Sequence, residues 1–158
     1  MKALIIVMSL ALTPASSATN DERDLSASLS ALPEACLSRH HAAVAEWGLG
    51  RYAAASAALE GMLAGCPSPA ATLNLGAVRL RLKEFAAAAR AFEATPPSAR
   101  ASYLLARARE GEGNVTAALA AIERAAALDP AEPAVALRRA ELLTALGRGA
   151  DAERELRR

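Results

Sequence analysis

Four side chains in this sequence could take part in metal or redox chemistry, namely Cys36, His40, His41 and Cys66. Cys36 and His40 are four residues apart, so on a helix they lie on one face, where Cys66 could join them as a third ligand. A zinc site usually has four ligands at recognised spacings, and the sequence contains no CxxC, HExxH or CxxCH motif. We therefore keep a metal- or redox-active protein built on Cys36, His40 and Cys66 as the alternative, and predict no metal and no other cofactor.

Catalytic chemistry has little support in the sequence. A nucleophile needs a base that a third group orients, but the only two histidines are adjacent, so on a helix their side chains point in different directions. The chain has no glycine-rich loop that could cradle a phosphate. Its formal net charge of +1 provides no basic footprint for nucleic acid. The sequence therefore predicts no catalytic residues, no enzyme and no nucleic-acid partner.

The chain opens MKALIIVMSLALTPASSATN, which has the anatomy of a secretory signal peptide. Lys2 supplies a positive start, an apolar run follows, and the small residues Ser16 and Ala18 precede a cleavage point. The apolar run is about 10 residues long, whereas a membrane-spanning helix needs about 20, so we prefer cleavage after Ala18 to a permanent membrane anchor. The sequence therefore predicts a signal peptide over residues 1–18 and a periplasmic or secreted protein that no longer contacts the membrane.

The elements that must position the candidate side chains are helices. Hydrophobic residues make up 53% of the chain but aromatic residues only 3%, and alanine supplies the difference. Alanine favours helices, whereas strands favour β-branched and aromatic residues. The composition therefore predicts an all-α fold. Residues 19–33 are polar and weakly capped, so we expect a flexible lead-in or a marginal helix there, followed by a helical domain over residues 34–158.

Four stretches of the chain align with one another, beginning at Gly50, Lys83, Gly113 and Gly147. The corresponding positions are separated by the same steps of 33, 30 and 34 residues. Small residues lie where two helices approach closely, and a large residue one turn later fills the gap between helix pairs. The three aligned sets are Tyr52, Phe85, Val115 and Gly149; Ala55, Ala88, Ala118 and Ala152; and Leu59, Phe92, Ile122 and Leu156.

This pattern resembles the tetratricopeptide repeat. Leu75-Gly76 in a first helix, Ala88 and then Phe92 in a second, and a closing proline such as Pro130 follow the family's pattern over nearly all of the chain beyond the lead-in. The resemblance implies an all-α, right-handed superhelix of antiparallel helix pairs, because one pair cannot bury its own apolar face. About three full repeats and a truncated fourth are expected near residues 36–68, 69–98, 99–132 and 133–158.

The cysteines lie at the two ends of the first predicted repeat. Cys36 begins its first helix and Cys66 ends its second, and an antiparallel pair with a turn near Gly50 leaves these ends offset by only several ångströms along the axis. Two cysteines in an exported chain meet an oxidising compartment. We therefore predict a Cys36–Cys66 disulfide in preference to a metal site.

In the tetratricopeptide family, the first helices of successive repeats line a concave groove that binds peptide segments. The resemblance implies such a groove here, although Trp47 and Tyr103 could equally be packing residues. Asn74 and Arg100 match positions at which some members hold a peptide carboxylate, but Val44 does not, so we do not expect that mode of binding. The implied groove residues are His40, His41, Val44, Trp47, Leu73, Asn74, Arg81, Arg100, Tyr103, Arg107, Glu110, Arg138 and Glu141.

The resemblance implies a non-enzymatic adaptor or scaffold that binds a peptide or helix of another protein. The chain resembles small periplasmic repeat proteins that assist envelope assembly, pilus biogenesis, cytochrome maturation or cell division, and the sequence does not choose among these roles. Leu146 and Leu156 are expected to be exposed at the end of the solenoid, where a polar cap is usual. We therefore also predict self-association through the C-terminal repeat.

Overall fold

The structure, a computed structural model, describes residues 32–157 of the chain. The predicted signal peptide and residues 19–31 of the lead-in lie outside this range. The regular elements between Leu32 and Arg157 are all helices, so the all-α fold class is confirmed, and none of them is long and apolar enough to cross a membrane. The helices are α1 (Glu34–Gly48), α2 (Tyr52–Leu63), α3 (Pro69–Arg81), α4 (Phe85–Glu93), α5 (Ala99–Gly111), α6 (Val115–Leu128), α7 (Pro133–Ala145) and α8 (Gly149–Leu156).

Serine side chains set the starts of the first helices in the second and third pairs. Ser68 Oγ accepts a hydrogen bond from the Ala71 backbone N–H at 3.3 Å, and Ser98 Oγ accepts one from Ala101 at 3.0 Å. Both satisfy backbone donors that the first turn of a helix leaves unpaired. Pro69 follows at the first position of α3, where its missing N–H costs no hydrogen bond. These local signals explain why α3 and α5 begin where they do.

Each helix pair turns through one residue with positive φ: Gly50 at 72°, Lys83 at 61°, Gly113 at 78° and Gly147 at 74°. In each turn, the next backbone N–H bonds to a carbonyl five residues back, as in the bond from Arg51 to Glu46 at 2.9 Å. Glycine adopts this conformation without strain because it has no Cβ. At Lys83 the left-handed conformation costs about 1–2 kcal/mol.

The helix pairs bury two hydrophobic clusters. The N-terminal cluster contains Cys36, Ala43, Ala55, Leu59, Met62, Ala71, Leu75 and Val78. The C-terminal cluster is larger and runs from Ala88 to Ala152. Helix α3 belongs to both, because Leu75 and Val78 face the first cluster while Leu73 and Leu80 pack against the second. Helix α3 therefore lies between the two clusters, and we call it the seam.

Gly76 permits a close approach of α3 and α4 at this seam. A Cβ built on Gly76 would lie 2.6 Å from Cε1 of Phe92, closer than real carbon atoms approach. Phe92 is itself 2% exposed, so its ring has little room to move. The Leu-Gly pair of the repeat pattern thus has a steric cause, since only glycine lets α4 lie this close to α3.

Candidate functional site

The residues predicted to line a groove all lie on α1, α3, α5 and α7. Contacts join α1 to α3 midway along both helices, from His40 to Asn74, and near their C-terminal ends, from Trp47 to Arg81, so these helices run in the same direction. Farther along, Arg138 Nη1 of α7 lies 3.5 Å from Glu110 Oε2 of α5. We call the surface formed by these four helices the A-helix face.

Most of the predicted residues reach the surface of this face, but His40 and Asn74 are buried. The exposed ones are His41, Arg81, Glu110 and Glu141. The half-buried ones are Val44, Trp47, Leu73, Arg100, Tyr103, Arg107 and Arg138.

His40 and Asn74 form a polar contact between α1 and α3. Asn74 Nδ2 donates to His40 Nε2 at 3.0 Å, and the two residues are 1% and 3% exposed. An accepting Nε2 requires a neutral imidazole with its proton on Nδ1, which is buried and without a hydrogen-bond partner among residues 32–157. Burial lowers the pKa of His40, and the neighbouring His41 lowers it further. The contact therefore joins two helices and requires a neutral His40.

Trp47 lies at the surface end of the same α1–α3 contact. Its ring meets Tyr52 edge to face, with ring centroids 5.1 Å apart, and Arg81 Cζ lies 5.6 Å from the Trp47 ring centroid. This arrangement combines an aromatic pair with a cation–π contact. Beside it, Val44 and Ala77 border a slot with room for about one water molecule. The surface around this slot is thus apolar, with the aromatic ring of Trp47 held in place at its edge.

The C-terminal half of the A-helix face is charged. Arg138 Nη1 lies 2.9 Å from Glu141 Oε2 on its own helix and also reaches Glu110 on α5. Arg100, Tyr103 and Arg107 follow one another along α5, at positions that the register assigns to the same face. Half-buried guanidinium groups beside an aromatic ring suit the recognition of carboxylates.

Arg79 and Arg109 occupy corresponding positions in the second and third repeats, 30 residues apart, and both form ion pairs. In the structure, Arg79 Nη2 lies 2.9 Å from Glu60 Oε1 of α2. Arg109 forms the equivalent pair with Glu93 of α4 and a second one with Glu112. The hydrogen bonds that Arg109 donates, first to Glu112 and second to Glu93 in size of effect, raise the pKa of Arg109.

A signal for these ion pairs was present in the sequence. Glu60 and Glu93 are 33 residues apart, and Arg79 and Arg109 are 30 apart, the same steps that separate the first three members of the apolar sets. Each pair joins the second helix of one repeat to the first helix of the next.

The cysteines form a covalent link in the first helix pair. Cys36 and Cys66 are joined by a disulfide, with their Cα atoms 6.2 Å apart. Their sulfurs are therefore not thiolates that could hold a metal. Across residues 32–157 the structure contains no group of three histidine, cysteine or acidic residues arranged to hold a metal ion. Formation of this disulfide in the exported protein stays a prediction.

Comparisons with known proteins identify the repeat. Residues 110–158 match a family model described as a tetratricopeptide repeat. No curated protein sequence matches the chain.

Solved structures match over most of the chain. MamA from Desulfovibrio magneticus RS-1 is 25% identical, with a TM-score of 0.73 over 77% of this chain and 71% of that one. A thermophilic TPR protein in Thermus thermophilus is 24% identical, with a TM-score of 0.63 over 77% of this chain and 71% of that one. MamA of AMB-1 is 22% identical, with a TM-score of 0.64 over 74% of this chain and 72% of that one. The predicted tetratricopeptide resemblance and solenoid fold are therefore confirmed.

Proposed function

We propose that this tetratricopeptide repeat protein is an exported, non-enzymatic scaffold that binds a peptide or helix of a partner protein on its A-helix face. The observation that carries the proposal is the change of chemistry along that face. An apolar surface beside Trp47 passes into a charged surface around Arg107 and Arg138. A surface of this kind offers both an anchor for an apolar side chain and donors for carboxylates.

The chemistry of the face suggests what the partner segment carries. An apolar residue suits the surface near Val44 and Trp47, and acidic residues suit Arg100 and Arg107 farther along the solenoid. Because aromatic and arginine side chains dominate binding energies, Tyr103 and Arg107 are the best single tests of the face. A role in cell-envelope assembly is part of the proposal, and it depends on the predicted export.

Capture from a cell-envelope extract tests the proposal. We expect Tyr103→Ala/Arg107→Ala to reduce partner recovery strongly, because loss of a central binding residue costs about 2 kcal/mol, or about thirtyfold in affinity. The matched control is Arg90→Ala/Arg124→Ala, which removes exposed side chains from α4 and α6. Circular dichroism verifies that both variants fold. Equal recovery by the two variants would contradict binding on this face.

Export is tested separately by the mass of the protein recovered from the periplasm or medium. We expect a chain that begins at Thr19, because the signal peptide motif ends at Ala18. A protein that retains Met1 and fractionates with membranes would instead support an uncleaved anchor.

We also propose self-association through the C-terminal repeat. Leu146 is 37% exposed and Leu156 is 61% exposed, and both lie close to the end of the described chain. Sedimentation should show a larger species at high concentration that Leu156→Glu removes. A strict monomer at all concentrations would eliminate this part of the proposal.

A further inference from the structure

We propose that the chain's own acidic lead-in, residues 19–31, binds to the charged half of the A-helix face and competes there with the partner. The segment reads TNDERDLSASLSA and carries Asp21, Glu22 and Asp24 against the single basic residue Arg23. The surface that it would meet carries Arg100, Arg107 and Arg138, beside the exposed Glu110 and Glu141. This inference rests on the proposed function, since it makes the same face the site of an internal competitor.

The place where the lead-in joins the folded domain favours this occupant. Leu32 packs against the N-terminal cluster and Pro33 immediately precedes α1. Helices α1, α3, α5 and α7 run in the same direction, so the lead-in starts at the edge of the molecule where α5 also begins. Arg100 is the second residue of α5 and therefore lies at that edge.

The lead-in is long enough to reach α5. An extended chain spans about 3.3 Å per residue, so residues 19–31 reach about 40 Å. Packed helices lie about 8–10 Å apart, which places α5 about 20 Å from α1 along the A-helix face. The segment can therefore cross α3 and still lay its acidic part along Arg100 and Arg107.

Both the charges and the apolar residues of the segment complement the surface. Carboxylates are favoured near helix N-termini, where α5 and α7 begin, as well as beside guanidinium groups. The segment also carries two apolar side chains, Leu25 and Leu29, for contact with Leu73 and Tyr103. These two residues are half-buried on neighbouring helices of the face.

Because the lead-in is attached to the same chain, weak contacts are enough to keep it bound most of the time. A short tether produces an effective concentration of about 1 mM, so a segment with an intrinsic Kd of about 0.1 mM would be bound roughly ten times more often than free. A partner must then displace the segment, which lowers its apparent affinity by about the same factor.

Trypsin cleavage after Arg23 tests the inference on the exported, full mature chain. The measurement is the cleavage rate at Arg23, compared with the rate in a free peptide of residues 19–31. Proteolysis follows the population of the open form when opening is fast, so we expect about tenfold protection in the chain. Arg100→Glu/Arg107→Glu should abolish it, whereas Arg90→Glu/Arg124→Glu on exposed positions of α4 and α6 should not.

A second variant keeps the test independent of the folded domain. Asp21→Asn/Glu22→Gln/Asp24→Asn alters only the lead-in and should also abolish protection, relative to a peptide with the same changes. Full cleavage of the wild-type chain at the peptide's rate would overturn the inference, and so would protection that neither variant alters. Protection that increases with protein concentration would overturn it in favour of a second copy as the occupant.

Partner capture separates this inference from the proposed function. If wild-type Arg23 is unprotected while Tyr103→Ala/Arg107→Ala still reduces partner recovery, only the internal competitor is wrong. If partner recovery does not depend on Tyr103 and Arg107, the proposed function is wrong whatever the cleavage rates show.

Discussion

The N-terminal helix pair and the pairs that follow it bury similar small and aliphatic residues, but α1 is held to its neighbours in an additional way. Cys36 bonds covalently to Cys66 beyond α2, and His40 of α1 forms a buried polar contact with Asn74 of α3. Helices α5 and α6 instead share the larger cluster that runs from Ala88 to Ala152. The two regions have the same architecture with different stabilising interactions.

The difference follows from how much apolar surface each region buries. Among residues 32–157, the first helix pair packs against a neighbouring pair on only one side, and a small cluster gains less free energy from burial than a large one. A disulfide offsets part of that deficit because it restricts the unfolded chain. The helix pair that contributes to the smaller cluster is thus also the one with a covalent link.

The largest expected effect comes from removing that link. Cys36→Ala/Cys66→Ala should lower the free energy of unfolding by about 3–4 kcal/mol, since the bond closes a loop of about 30 residues. Urea unfolding measures the loss, and hydrogen exchange should locate it mainly in α1 and α2. An equal loss of amide protection in α5 and α6 would show that the two regions unfold as one unit.

At the seam between the regions, Gly76→Ala should destabilise the protein by about 1–3 kcal/mol, because the new methyl group meets the Phe92 ring. Gly61→Ala is the matched control. Nothing lies within 4 Å of a Cβ at Gly61 in α2, so the substitution should stabilise by about 0.5–1 kcal/mol through helix propensity alone. Thermal unfolding shows whether each substitution stabilises or destabilises the protein. A stabilised Gly76→Ala variant would contradict the close approach of α3 and α4.

The turn between α3 and α4 joins both regions through a strained residue. Lys83→Gly should raise the free energy of unfolding by about 1 kcal/mol, since Lys83 has a φ of 61° that glycine adopts without a steric cost. Gly113→Ala at the equivalent turn should have the opposite effect. Chemical denaturation measures both variants, and the interpretation is wrong if Lys83→Gly has no stabilising effect.

The smallest effect is a pH dependence specific to the N-terminal region. The folded-state pKa of His40 lies below the ordinary value of 6.5, so the unfolded chain binds more protons as the pH falls below 6.5. The contribution of neutral His40 to the free energy of unfolding is therefore fully present above pH 6.5. It is lost as the pH falls from 6.5 to the lowered folded-state pKa.

Unfolding measured between about pH 7 and pH 5 tests this dependence. His40→Gln should weaken it, because glutamine cannot titrate but can still accept a hydrogen bond from Asn74. His41→Gln, an exposed substitution on the same helix, should retain most of it, because burial of His40 is the larger cause of the lowered pKa. Identical pH profiles for the wild-type and His40→Gln chains would contradict the role of a buried neutral imidazole.

The features of the fold that could be predicted from the sequence depend on local interactions. Ser68 before Pro69, the turn glycines and the alternation of Ala88 with Phe92 act within a few residues, so they can be recognised without coordinates. The contacts His40–Asn74 and Arg79–Glu60 escaped prediction because each joins residues that are distant in sequence. The Arg79 pair has a repeated spacing that could have revealed it, whereas His40 with Asn74 occurs once.

The sequence by itself determined the helices, their turns and the register of the repeat, because these depend on neighbouring residues and on a recurring apolar pattern. Only the tertiary structure decided which residues of the A-helix face reach solvent. His40 and Leu137 occupy the same register position, yet His40 is 1% exposed and Leu137 is 54% exposed. The physical reason is that α3 covers His40 of the first pair, whereas Leu137 lies on α7 in the last described pair.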